Sequence, residues 1–138
     1  MTMDAKQSDL EIQAILRAEI RDLQKRHDLE IALLHATYAM AWNGPGEGMP
    51  TVEDQLNIIA RSPLFDEGWY LAAYPDVAES GMPADEHYVR AGAFEGRNPG
   101  PDFDTMAYYL ANPDVARAGW PALIHHAHFG QVEGRPLG

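Results

Sequence analysis

Phe65-Asp66-Glu67-Gly68-Trp69-Tyr70-Leu71-Ala72-Ala73-Tyr74-Pro75-Asp76-Val77-Ala78 decides the fold, with its continuation through Gly81, Pro83-Ala84, His87-Tyr88 and Gly92 to Glu95-Gly96-Arg97. Thirty-eight residues later the order returns without a gap: Phe103, Asp104, Tyr108, Ala111, Pro113, Asp114, Val115, Ala116, Gly119, Pro121, Ala122, His125, Gly130, Glu133, Gly134 and Arg135. Sixteen identities in thirty-three positions mark a duplication, the signature of stacked repeat units. The repeats span residues 65–99 and 103–137.

Each copy reads as a short helical hairpin. Asp66 and Asp104 stand where an N-cap is needed, before helices ending at Tyr74 and Asn112. Pro75 and Pro113 break those helices. Gly81 and Gly119 are placed to take left-handed C-caps. Pro83 and Pro121 suit the first turn of a further helix, which runs to Gly92 or Gly130, and Glu-Gly-Arg turns the chain out of the unit. Phe65, Tyr70, Val77 and their counterparts supply the core. One unit has too little apolar surface to stand alone, and stacking two remedies that.

Working outward, residues 1–42 predict a long helix, free of Pro and Gly from Ser8 to Trp42. Ser8 followed by Glu11 fits a capping box. At about 1.5 Å per residue this helix is roughly 50 Å long. Ile12, Leu16, Ile20, Leu23, His27, Ile31, Leu34 and Tyr38 form its apolar stripe, with an eleven-residue period that favours a nearly straight bundle. Ile15, Leu29 and Leu33 widen it. The stripe points to self-association or insertion into a partner's bundle, the plainer alternative being that it covers the C-terminal domain. His27, in mid-stripe, reads as a structural histidine rather than a ligand or switch.

Asn43-Gly44-Pro45-Gly46-Glu47-Gly48-Met49-Pro50 stops the helix and reads as a flexible linker over 43–50. Thr51 then caps a second helix, Val52 to about Arg61, with Leu56, Ile59 and Val52 on its apolar face and Pro63 beyond it. Residues 51–138 form the helical domain. The fold class is therefore all-α: a long N-terminal helix for oligomerisation or attachment, followed by a small domain of two tandem helical-hairpin repeats.

Composition excludes several functions. Twenty-one acidic residues against ten Lys and Arg give a net charge of −11, which repels nucleic acid and anionic lipid. No cysteine is present, so disulfides, thiolate metal sites and cysteine nucleophiles are out. No apolar run is long enough to insert in a membrane. The polar start Met1-Thr2-Met3-Asp4-Ala5-Lys6 lacks the apolar core of a signal peptide, so a particle assembled in the cytoplasm and released by lysis is the expected route to an extracellular location.

The repeat residues Tyr70-Leu71, Tyr74-Pro75-Asp76-Val77-Ala78, His87-Tyr88, Gly92 and Glu95-Gly96-Arg97 resemble a repeat scattered through bacterial extracellular proteins and polysaccharide-related glycosyltransferases. The second copy departs by carrying His126 in place of Tyr88 and by shifting Tyr109-Leu110 one place. No catalytic residues are established for that family. A chain joining a long N-terminal helix to this repeat also looks like the spike or fibre-base proteins of phage-like particles, among them the head spikes of alphaproteobacterial gene transfer agents. That resemblance implies a capsid or fibre partner and contact with surface polysaccharide.

The residues themselves suggest little chemistry. In His125-His126-Ala127-His128 only His125 and His128 share a helix face, and His125 matches the solitary His87, so a structural bond between helices is expected rather than a metal. The spacing of Asp66, Asp76, Asp104 and Asp114 fits no calcium loop, and caps account for all four. Arg97 and Arg135 read as internal ion-pair partners. For a glycan, Trp69, Tyr70, Tyr88, Tyr108, Tyr109 and Trp120 offer stacking faces. Trp69 and Trp120 are the expected exposed contacts, because neither is aromatic in the other copy. No cofactor, metal or enzymatic activity is expected. The expected function is that of an oligomeric spike-base component, partnered by itself and by a particle. The alternative is a soluble or exported polysaccharide-binding accessory of surface glycan biosynthesis.

Overall fold

The computed structural model describes residues 3–138, with Met3 and Gln131 by backbone only; Met1 and Thr2, where the N-terminal segment begins, lie outside the described residues. All regular elements among these residues are helical, as expected. They are α1 (Met3–Asn43), α2 (Val52–Ala60), α3 (Glu67–Ala73), α4 (Pro75–Ser80), α5 (Ala84–His87), a π-helical turn (Tyr88–Gly92), α6 (Thr105–Ala111), α7 (Pro113–Arg117), α8 (Ala122–His125), a second π turn (His126–Gly130) and α9 (Gln131–Glu133).

The two repeats fold by the expected signals. The Asp66 carboxylate accepts from Trp69 N at 3.0 Å and the Asp104 carboxylate from Ala107 N at 3.0 Å. Pro75 and Pro113 open α4 and α7 at N1, where the missing N–H costs nothing. Gly81 closes α4 at φ 76°, and Gly119 follows α7 at φ 79°. Pro83 and Pro121 fall one place earlier than expected, as N-caps rather than helical residues. Asp76 and Asp114 are not caps: each lies in a first helical turn and holds an arginine instead.

Inside each unit a buried tyrosine ties the two arms of the hairpin. The Tyr70 hydroxyl meets His87 Nδ1 at 2.7 Å, and the Tyr108 hydroxyl meets His125 Nδ1 at 2.9 Å. Both hydroxyls lie against the π turn at Gly92 or Gly130, so tightly that a Cβ there would collide with the phenol oxygen. Glycine is required here for space. The wider π turn, with Ala93 N bonded to Tyr88 O at 2.9 Å, carries the chain over the tyrosine.

Two side chains of the first repeat join the units by hydrogen bonds. Tyr88 leaves the first repeat, meets Thr105 Oγ1 at 3.0 Å and accepts from Leu123 N at 3.3 Å. Asn98 Oδ1 adds a bond from Thr105 N at 2.9 Å. The matching His126 instead packs inward against Phe103 and Tyr108.

Two further elements close the core. α2 is capped by Thr51, whose hydroxyl accepts from Asp54 N at 3.1 Å, and it lies across α5, α8 and both π turns. The second half of α1 packs on α6, α7 and the first π turn through Leu29, Leu33, Ala36 and Met40.

Three expectations are corrected. The helix is already running at Met3, so Ser8 and Glu11 lie inside it and form no capping box; helix formers and Asp4 in the first turn start it earlier. Residues 43–50 are no free joint. Gly44 N bonds Met40 O at 3.0 Å, Met49 N bonds Gly46 O at 3.1 Å, and Gln55 Nε2 donates to Pro50 O at 3.0 Å, so the loop is a fixed return. The long helix is also not separate from the domain, since its second half is core.

Gly92→Ala or Gly130→Ala should therefore destabilise by about 1–3 kcal/mol, the usual cost of overpacking. Gly46→Ala, with nothing within 4 Å of the added methyl, should leave the urea midpoint nearly unchanged. Equilibrium unfolding of the three variants checks this.

Candidate functional site

α1 is the element whose sequence asks for two neighbours and has one. Leu29 (3% exposed), Leu33, Ala36 and Met40 face the repeats. The predicted stripe lies on the other side: Ile12, Leu16, Ile20, Leu23, Ile31, Leu34 and Tyr38 are 41–67% exposed, and Trp42 is 81% exposed. His27 is exposed among them. The idea that this stripe covers the domain is thus overturned. Leu29 and Leu33 belong to the domain face, not the stripe. Ile15 is exposed as well.

Trp69 and Trp120 were expected to be free and are half-buried. Trp69 packs edge-on against Tyr74, with centroids 6.2 Å apart. Trp120 is held by its own backbone, where the Tyr109 hydroxyl donates to Trp120 O at 2.7 Å. Its ring is covered by His125, His128 and Phe129. Lack of an aromatic counterpart did not mean exposure: Met82, the counterpart of Trp120, is exposed, whereas Trp120 is half-buried. Tyr70, Tyr88, Tyr108 and Tyr109 are fully buried.

The histidine cluster separates as its side chains turn. His125 points inward to Tyr108, His126 is buried against Phe103, and His128 is exposed and stacks on Trp120 at 6.0 Å. Among the described residues no three His, Asp or Glu side chains converge as metal ligands would.

A second feature escaped the sequence. An open groove of about 630 Å³ lies between the 48–50 loop, α2 and the second π turn, lined by Asp54, Asn57, Arg61 and His128 over Met49, Pro50 and Ile58. Trp120 backs it by stacking on His128. Its walls are some seventy residues apart along the chain, so no local motif announces it.

Each repeat holds the arginine of its Glu-Gly-Arg turn in an internal ion pair. Arg97 grips both oxygens of Asp76 at 2.8 and 2.7 Å, touches Glu95 and lies 4.9 Å over the Tyr74 ring. Arg135 repeats this with Asp114 and Glu133 at 2.9 and 2.8 Å. The arginine hydrogen bond holds the Asp76 carboxyl at about 2. Partial burial pushes Asp114 upward, yet the bond and charge of Arg135 outweigh it and the pKa falls. Burial pushes Tyr108 up to about 12 and raises Tyr70 and Tyr88 as well. Burial also lowers His87, His125 and His126, against the attraction of Glu95 at His87.

Comparison with protein-family models, with curated proteins and with solved structures finds no match to this chain.

The histidine shifts set a pH dependence. A histidine whose folded pKa lies below its unfolded value of roughly 6.5 takes up its proton more readily when unfolded. Stability is then full above that value and declines as pH falls through it. Protonation would also place a second donor against the tyrosine hydroxyl. The depressed Asp76 and Asp114 act lower, losing their contribution below about pH 4. Urea midpoints should therefore fall in two stages, near pH 6.5 and again below 4. The first stage should shrink in a chain carrying His87→Gln and His125→Gln.

Proposed function

We propose that this chain is a non-enzymatic attachment protein, an oligomeric spike-base component of a phage-like particle that links the particle to a fibre or to host surface polysaccharide. The observation that carries the reading is the bare stripe of α1. It runs about 45 Å along the helix, on the side away from the repeats. Exposed apolar surface of that extent marks a contact with another macromolecule. The fixed return loop keeps the stripe and the repeat module in a set relation, as a rigid adaptor requires.

The groove beside His128 favours a second reading, a polysaccharide-binding accessory of surface glycan biosynthesis. Carboxylate, amide, guanidinium and imidazole groups beside an apolar floor can meet sugar hydroxyls and CH faces. On either reading the glycan contact lies where α2 meets the second repeat; the first adds a particle and avidity.

Co-sedimentation with encapsulated and capsule-free cells tests the glycan element, using the full chain and a chain with Ile20→Asp and Leu23→Asp. Binding to encapsulated cells alone, weakened at least tenfold in the variant, is expected. Arg61→Ala with His128→Ala should abolish it. Equal binding by both chains would favour the accessory reading. Failure on all cells would remove the polysaccharide and leave a purely protein-linking role.

A further inference from the structure

The stripe must meet something, and the charges beside it indicate what. At 3.6 residues per turn, its apolar positions lie within about 60° of a line through His27, and the domain face lies about 150° away. A neighbour on the stripe therefore leaves the repeats clear. The apolar spacing is symmetric about His27: Leu23 and Ile31, Ile20 and Leu34, Leu16 and Tyr38, and Ile12 and Trp42 are equally distant from it. Apolar pairing alone thus fits a parallel and an antiparallel copy equally well.

The flanking charges break that tie. Arg17 and Glu19 are two residues apart and so stand at nearly the same height on opposite edges of the stripe, as do Arg26 and Asp28. Between parallel, in-register helices, one edge meets the opposite edge of the neighbour. Arg17 and Arg21 then face Glu19, and Asp28 faces Arg26. Glu30 near Asp28 is the like-charge approach that remains, and Glu30 has its own Arg26 one turn away. Between antiparallel helices the same edges meet, so Asp28 opposes Asp28, Arg26 meets both Arg26 and Glu30, and Arg17 and Arg21 approach His35, a poorer balance than the parallel one. His27 places a polar layer at the centre of the stripe, a device that fixes register in helical bundles.

We propose that copies of this chain assemble side by side, parallel and in register, through the stripe over residues 12–42, which places every repeat module at the same end of the bundle. This deepens the attachment reading and rests on it for the use of the bundle. The charges of α1 are those of a helix complementary to itself, so the occupant is a second copy rather than a foreign protein.

The chain has no cysteine, so Ile20→Cys and Leu34→Cys each introduce a sole thiol. Under mild oxidation of the full-length protein, either variant alone should form a disulfide dimer, because each position meets itself. Cross-linking only when the two are mixed would show antiparallel pairing, and none at all would show a different occupant; both outcomes overturn the proposal. Glu19→Arg should weaken association at least tenfold in sedimentation velocity, since attraction becomes repulsion at each interface. Adding Arg17→Glu should restore it, and failure to restore overturns the parallel register. A chain that stays monomeric yet binds encapsulated cells sinks this inference and spares the attachment reading. A cross-linked oligomer that binds neither cells nor particles does the reverse.

Discussion

The bond between a buried tyrosine and a histidine, passing under a glycine, sets the geometry of each repeat. A phenol hydroxyl taken out of water must find a partner or cost about 1–3 kcal/mol. Tyr70 finds His87 Nδ1, and Tyr108 finds His125 Nδ1. That choice fixes how closely the two arms approach and forces a residue without a Cβ at 92 and 130. It also sets the exit of the chain. Arg97 N bonds Gly92 O, and Arg135 N bonds Gly130 O, so the π turn determines where the arginine begins and hence that it reaches Asp76 or Asp114. Five of the sixteen repeated identities in each unit, the Tyr, His, Gly, Arg and Asp, belong to this one linked arrangement.

The differences between copies follow from position in the stack. Tyr88 has a neighbour to enter and spends its hydroxyl on Thr105 and Leu123. His126 turns inward against Phe103 and Tyr108, and its buried Nδ1 has no hydrogen-bond partner among the described residues. Tyr74 takes the Asn98 N–H on its hydroxyl, while Asn112 donates its amide to Pro136 O. Different side chains thus tie down the same exit turn. Two units still leave one side and one end uncovered, and repeat arrays need caps there. α2 and the second half of α1 supply that cover, which is why the N-terminal helix is longer than either job alone would require.

Much of this was legible because it is local. Asp66, Pro75, Gly81 and their counterparts act through neighbouring backbone, and a gapless duplication doubles each signal. The all-α class and the internal role of Arg97 and Arg135 were readable for the same reason. Burial across the chain was not. Leu29 and Leu33 sit beside Ile31 and Leu34 in sequence, and which pair the repeats claim depends on where Met40 and the return loop place the helix. Trp120 looked free because the residue it replaces is not aromatic; its cover comes from His128 and Phe129, whose direction the π turn decides. The groove at Asp54, Asn57, Arg61 and His128 needs α2 to cross the second repeat, which periodicity does not encode.

The first half of α1 is the least supported part of the fold by its own means. Without tertiary cover, a helix depends on propensity and on pairs one turn apart. Asp22 before Arg26 is such a pair, favourably ordered. Against it, Arg17, Arg21 and Lys25 follow one another at steps of four, a row of like charges that costs a few tenths of a kcal/mol at each step. Arg17, Arg21 and the bare aliphatics beside them are liabilities in a lone helix; in the proposed bundle, Glu19 and apolar surface on a neighbour would answer both. On the proposed assembly, the first half of the helix gains much of its order from contact with neighbouring copies. The repeats, whose Tyr70–His87 and Tyr108–His125 bonds and arginine ion pairs are made internally, do not share that dependence. On the proposed assembly, a module completed by α2 and the second half of α1 would be displayed in several copies with no change in its own packing.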